Sequence, residues 1–198
     1  MLLRLFCLLC CLSLPSFAWS AAQRCPAGQA LVCVGLCLCV DEQSPLHRGV
    51  QEVAVPGLRD WIIASRQRAL AAGTQPIPDA LREALAGYFD RALLEQVRYR
   101  VGDPNPTSLS HGVLQNPDIN AITLIDVVIF QHAHEAEQDV ALWAHELLHV
   151  QQYLELGVEG FAARYLSDPD SLERPAYALQ NEVRLALRRR NRLPAPGP

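Results

Sequence analysis

Between residues 140 and 154 the chain is apolar at most positions, reading VALWAHELLHVQQYL. At about 100° per residue in a helix, Val140, Trp143, Ala144, Leu147 and Leu154 form one stripe, with Leu142, Leu148 and Val150 on other sides. A helix that is apolar nearly all round is a buried one, so this segment is the expected central helix, ending near Gly157. The short β-branched run AITLIDVVIF before it predicts one strand or a tight pair. Upstream, GLRDWIIASRQRALAAG reads as a helix stopped by Gly73, and TQPIP as a break. DALREALAGYFDRALLEQV places Leu81, Leu85, Tyr88, Phe89 and Ala92 at helical spacing and predicts one amphipathic helix. RYRVGDPNPTSLSHGVLQNPDIN, dense in Pro, Gly, Asn and Ser, reads as a strand end and a loop. VEGFAARYL predicts a short helix and SDPDSLERPAYALQNEVRLALRRR a last one. The pattern as a whole is α+β and mainly helical, with a small sheet just before the central helix and no internal repeat.

The 198 residues suffice for one domain with a real core. A net charge of −4 gives no reason to expect nucleic acid as a partner. The first residues, MLLRLFCLLCCLSLPSFAWSAA, have Arg4, an apolar stretch to about Phe17 and small residues after it, the layout of a secretory signal peptide. The apolar run is short for a membrane span, so no stable span is expected once residues 1–21 are removed. Cys7, Cys10 and Cys11 would leave with that segment. Cys25, Cys33, Cys37 and Cys39 remain, and four cysteines packed together in an exported chain read as two disulfides. A four-thiolate zinc site would want paired C-x-x-C knuckles, which this spacing lacks. The expected organisation is a signal peptide at 1–21, a Cys-rich segment at 22–50, a linker over DEQSPLHRGVQE, a main domain at 58–190 and a flexible tail at 191–198. Export through a signal peptide makes a secreted or periplasmic bacterial protein.

The central helix carries the candidate chemistry. His145 and His149 are four residues apart and share a face, with Glu146 to its side. Buried without partners, these groups would cost several kcal/mol. A zinc ion removes the problem: imidazoles at i and i+4 can occupy two corners of its tetrahedron. Glu146 then stands where it can take a proton from a zinc-bound water, whose pKa the metal lowers to about 7, and the hydroxide attacks a carbonyl carbon. This is the H-E-x-x-H arrangement of zinc peptidases. His132 and His134, between strand and helix, either line the cleft or stabilise the oxyanion, or are ordinary loop residues, the reading loop composition favours. His47 and His111 sit in loop-like sequence and carry no assignment.

These stretches together resemble the zincin-like metalloprotease-like domain of the core proteins of extracellular contractile injection systems. The likeness lies in IPDALREALAGYFDRALLEQVRYRVGD, AITLIDVVIF, LWAHELLHVQQY and LERPAYALQNEV, over roughly residues 76 to 182. It implies a zincin-like metallopeptidase fold and a glutamate as third zinc ligand, carrying over to His145, Glu146, His149 and Glu173. Where that family usually has a glycine, this chain has Ile125. Unlike members carried as cargo, this chain begins with a signal peptide and reads as independently exported.

Downstream glutamates that could complete the site are Glu155, Glu159, Glu173 and Glu182. Some zincins place a third ligand six residues past the second histidine, after a glycine turn. Here Gln152 stands in the glycine's place and a continuing helix turns Glu155 about 100° off the ligand face. Glu159 follows Gly157 too closely for a separate helix to return. Glu173 matches the family pattern and leaves room for a crossing helix, although DSLE is also a D-x-x-E capping box. Glu182 stays open as the alternative. The expected function is an exported zinc-dependent metallopeptidase acting on a peptide or protein substrate. The alternative is a non-catalytic zincin-fold binding protein in which zinc is structural.

Overall fold

The computed structural model describes residues 25–34, 36–103 and 120–192. The expected signal peptide, His111 and the last residues of the tail lie outside them. The described residues are α+β and mainly helical, with a two-stranded and a four-stranded sheet. Strands β1 (Gln29–Val34) and β2 (Leu36–Asp41) form an antiparallel hairpin. A Cys25–Cys39 disulfide ties its base. Cys33 and Cys37 are register partners in that hairpin. Their side chains, and so the second expected bridge, lie outside the described ones.

The expected linker is instead the start of a helix. Helix α1 spans Pro45–Ala71 and crosses the boundary expected near residue 58. Ser44 is its N-cap, accepting the His47 N–H at 3.1 Å, and proline occupies the first turn, where its missing N–H costs nothing. Polar composition and the interior Pro56 hid this helix from the hydrophobic pattern.

Strand β3 (Gln75–Pro76) precedes α2 (Asp79–Leu85), α3 (Arg91–Gln96) and strand β4 (Arg98–Val101). The single amphipathic helix expected here is thus two short ones. The Leu85 carbonyl accepts the N–H groups of Tyr88 and Phe89, which closes a turn around Gly87. Leu81, Leu85 and Phe89 still reach the core, whereas Ala92 is exposed.

AITLIDVVIF is a tight pair, β5 (Ala121–Leu124) and β6 (Val127–Phe130). The sheet order is β3-β4-β6-β5, with β4 and β6 parallel and the other pairs antiparallel, so among the described residues β5 is an edge strand. Ile125 in the intervening turn has φ 65°, a conformation that costs a β-branched residue about 1–2 kcal/mol. Packing of Ile125 against the core and an Arg66–Asp126 ion pair, bidentate from α1, hold the turn against that strain.

Short α4 (Ala133–Gln138) leads into α5 (Val140–Ser167) and α6 (Pro169–Arg192). Alternate residues of β6 feed two core clusters. Val128 and Phe130 pack with α2, α3 and the first half of α5; Val127 and Ile129 pack with α1 and the second half of α5. Trp143 is fully buried, edge-on to Tyr99 at 5.5 Å between ring centres, and its indole N–H donates to the Ala136 carbonyl at 2.8 Å. Through Tyr153, α5 is buried almost all round, as the pattern requires, but Leu154 of the expected stripe is 63% exposed. Gly157, at φ 69° and ψ 167°, kinks α5 there. Beyond the kink, Phe161 folds back to stack on Tyr153 with centroids 3.8 Å apart. Among the described residues no helix is long and apolar enough to cross a membrane.

Candidate metal centre

One turn of α5 puts His145 above His149, both buried, with their Nε2 atoms 3.1 Å apart. Glu173 arrives from the first turns of α6, its two carboxylate oxygens 3.4 Å from His145 Nε2 and 3.6 Å from His149 Nε2. Two ligands held about 2.0–2.1 Å from one ion at tetrahedral angles stand roughly 3.3–3.4 Å apart. The observed separations fit that geometry, and the three ligand atoms all lie within 4.8 Å of one another. The donor set, two imidazoles and a carboxylate, could hold a metal ion.

Glu173 comes back because α5 kinks at Gly157 and ends at Ser167, letting α6 reverse and pack against it. Gln152 fastens the crossing. Its side chain is buried, with Oε1 2.8 Å from His149 Nδ1, while its Nε2 donates to the Leu172 carbonyl at 2.9 Å. That second bond fixes the amide's orientation. His149 must then carry its proton on Nδ1, leaving the Nε2 lone pair for the centre. Gln152 was visible in the sequence only as the residue replacing a glycine. Its role depends on the helix crossing, which no local pattern reports. His145 Nδ1 is buried and finds no partner among the described residues.

Glu182 is exposed on α6, away from the centre. Glu155 is exposed as well, and Glu159 pairs with Arg59 at 3.0 Å. Glu173 does not act as a capping residue, since its carboxylate faces the imidazoles. His132 is the N-cap of α4 and His134 lies in its first turn, not in a loop; their rings stack on each other, exposed, and neither lines the cleft around the centre. His47 lies in the first turn of α1, not in a loop.

The charges in the centre hold one another. Burial alone would raise the pKa of Glu173, but hydrogen bonds and attraction from His145 and His149 bring it down to about 2. For His149, burial pulls downward, yet Glu173, Glu146 and Gln152 outweigh it and the net shift is upward. In the metal-free protein a proton therefore competes for the place a metal would take.

Glu146, next on the helix, is buried and accepts a 2.7 Å hydrogen bond from the Thr123 hydroxyl of edge strand β5. Sequence reasoning did not single out Thr123. Around these groups runs a cleft of about 460 Å³. Tyr177 of α6 stands at its mouth, its ring edge-on to His145 at 4.6 Å between centroids. Residues of β5, α1 and the second half of α5 form the remaining walls.

The model of the family described as the eCIS core domain matches residues 76–157. That stretch, less than half of the chain, includes His145, Glu146 and His149 but neither α1 nor Glu173. No curated protein and no solved structure matches the chain.

Proposed function

We propose that the protein is an exported zinc-dependent metallopeptidase with a zincin-like fold, in which His145, His149 and Glu173 hold the metal and Glu146 is the general base. The observation that carries this reading is the convergence of two imidazole nitrogens and a carboxylate at tetrahedral ligand spacing, with a second buried carboxylate beside them. When bound, zinc supplies Lewis acidity, lowering the pKa of water and polarising a carbonyl. Glu146 accepts the proton of the attacking water and passes it to the leaving amine. Thr123 keeps one carboxylate oxygen occupied and so fixes which oxygen faces the cleft. Gln152 sets the tautomer of His149. Residues 120–124 line the cleft and β5 is a sheet edge among the described residues, so an extended peptide can add to the sheet beside the centre.

The placement of Glu146 favours catalysis over a structural metal, which needs no base beside it. A structural site would also close its fourth position with a side chain, and among the described residues only three ligands come together. The test is a peptide-library cleavage assay on zinc-loaded protein. The proposal expects cleavage that a chelator abolishes, zinc restores and Glu146→Gln removes. Cleavage retained at the wild-type rate by Glu146→Gln would overturn the assignment of the base.

A further inference from the structure

The cleft has two chemically distinct ends. Every ionisable acid or imidazole that lines it belongs to the centre itself: His145, Glu146, His149 and Glu173. The apolar end begins beside the centre at Phe161, whose ring centre lies 6.2 Å from that of His149, and is walled by Leu58, Trp61 and Ile62 of α1, Ile122 of β5, and Tyr165 beyond the kink of α5. No Arg, Asp or Glu lines that end; Arg59 and Asp60, neighbours on α1, pair with each other, and Arg59 reaches Glu159. A charged ligand side chain placed there would lose its water without gaining an oppositely charged partner, whereas a bulky apolar one would bury its surface. The wall is also fixed in place. Arg66 of α1 clasps Asp126 in the β5–β6 turn, and the Arg59–Glu159 pair joins α1 to the second half of α5 at 3.0 Å.

Resting on the peptidase reading of the adjacent centre, we propose that α1 and the end of α5 form a specificity subsite for a large aliphatic or aromatic side chain of an extended peptide. The size suits it: the whole cleft, centre included, measures about 460 Å³, within the range of clefts that enclose small ligands. So does the position, because the edge strand β5 lines the same cleft and can align a peptide main chain along it.

Tryptophan indole resonances test this directly, without relying on turnover. Trp61 lines the subsite, while Trp143 is fully buried in the opposite core cluster and already hydrogen-bonded. Protein labelled with ¹⁵N and carrying Glu146→Gln is titrated with blocked alanine peptides bearing a central Phe, Leu, Gly, Asp or Lys; Trp61→Phe assigns the resonance. The Phe and Leu peptides should shift the Trp61 signal saturably, with Kd about tenfold or more below that of the Gly peptide. The Asp and Lys peptides should leave it in place, and Trp143 should not move. Leu58→Asp should weaken the Phe peptide by a similar factor while its unmoved Trp143 signal reports an intact core. An unperturbed Trp61 signal with all peptides, or equal shifts from the Asp and Phe peptides, overturns the subsite. Selective binding of Phe peptides, together with no cleavage of any of them by the zinc-loaded wild-type protein, would instead refute the peptidase reading and leave the subsite standing.

Discussion

Replacing Gln152 with Leu should damage both stability and metal affinity, although Gln152 contributes no metal ligand. The side chain is 9% exposed and joins His149 Nδ1 at 2.8 Å to the Leu172 carbonyl at 2.9 Å. Leucine is of similar size but bonds to neither. Each buried group left unpaired costs about 1–3 kcal/mol, and added apolar burial recovers part of this. A net loss of about 2–4 kcal/mol follows, or roughly 5–15 °C in Tm for a chain of this length. Loss of the partner that holds a ligating imidazole lowers metal affinity by about 10–100-fold. Thermal unfolding followed by circular dichroism measures the first effect, and zinc titration against a competing chelator the second. Gln152→Glu separates the two: it keeps an acceptor for His149 but sets a carboxylate against the Leu172 carbonyl. It should therefore lose stability while holding zinc better than the leucine variant does. A Gln152→Leu protein with unchanged Tm and zinc affinity within twofold of wild type would refute the relay.

Glu146→Gln should keep the fold and zinc stoichiometry but lower kcat by at least about 100-fold, the low end of general-base contributions; kinetics and elemental analysis on one preparation check both. Glu173→Ala should lower zinc affinity by orders of magnitude, while Glu182→Ala should leave it unchanged, as chelator competition would report. The pH trends of the metal-free and zinc-loaded forms should diverge. Glu173, at about 2 against an ordinary 4.5, stabilises the metal-free protein above the ordinary value, an effect lost as pH falls toward 2. His149, raised above 6.5, contributes below that value and loses its effect as pH rises through its own pKa. Zinc needs the neutral imidazole, so the Tm gained on adding zinc should grow from pH 6 to pH 8; a gain that shrinks over that interval contradicts the assignment. Peptide mapping without reductant should recover a Cys25–Cys39 cross-linked pair.

Much of the centre could be read from one segment. Two histidines and a glutamate in an otherwise apolar helix are too expensive to bury for nothing, and helical spacing alone puts both imidazoles on one face. Glu173 was reachable because the centre needs another ligand, the sequence disfavours Glu155 and Glu159, and the resemblance to the injection-system core family implies Glu173 where Glu182 otherwise stays open. What stayed hidden depends on elements that meet only after folding. Thr123 looks like any strand threonine until β5 lies beside α5. Trp61 looks like a core residue until α1 walls the cleft. The start of α1 reads as a linker in the sequence because its signal is a Ser44–Pro45 cap and not hydrophobic periodicity. The break between α2 and α3 was missed for the opposite reason: Tyr88 and Phe89 keep helical spacing across a turn that returns them to the same core.

The central claim is that His145, His149 and Glu173 hold a catalytic zinc. Its most direct test is an anomalous difference map, recorded at the zinc absorption edge from crystals of the purified protein. The account predicts one peak between the three side chains, about 2.0–2.2 Å from each ligand atom, with the fourth position open to the cleft beside Glu146. A peak elsewhere, no peak in zinc-supplemented crystals, or a fourth protein side chain closing the coordination sphere would contradict it.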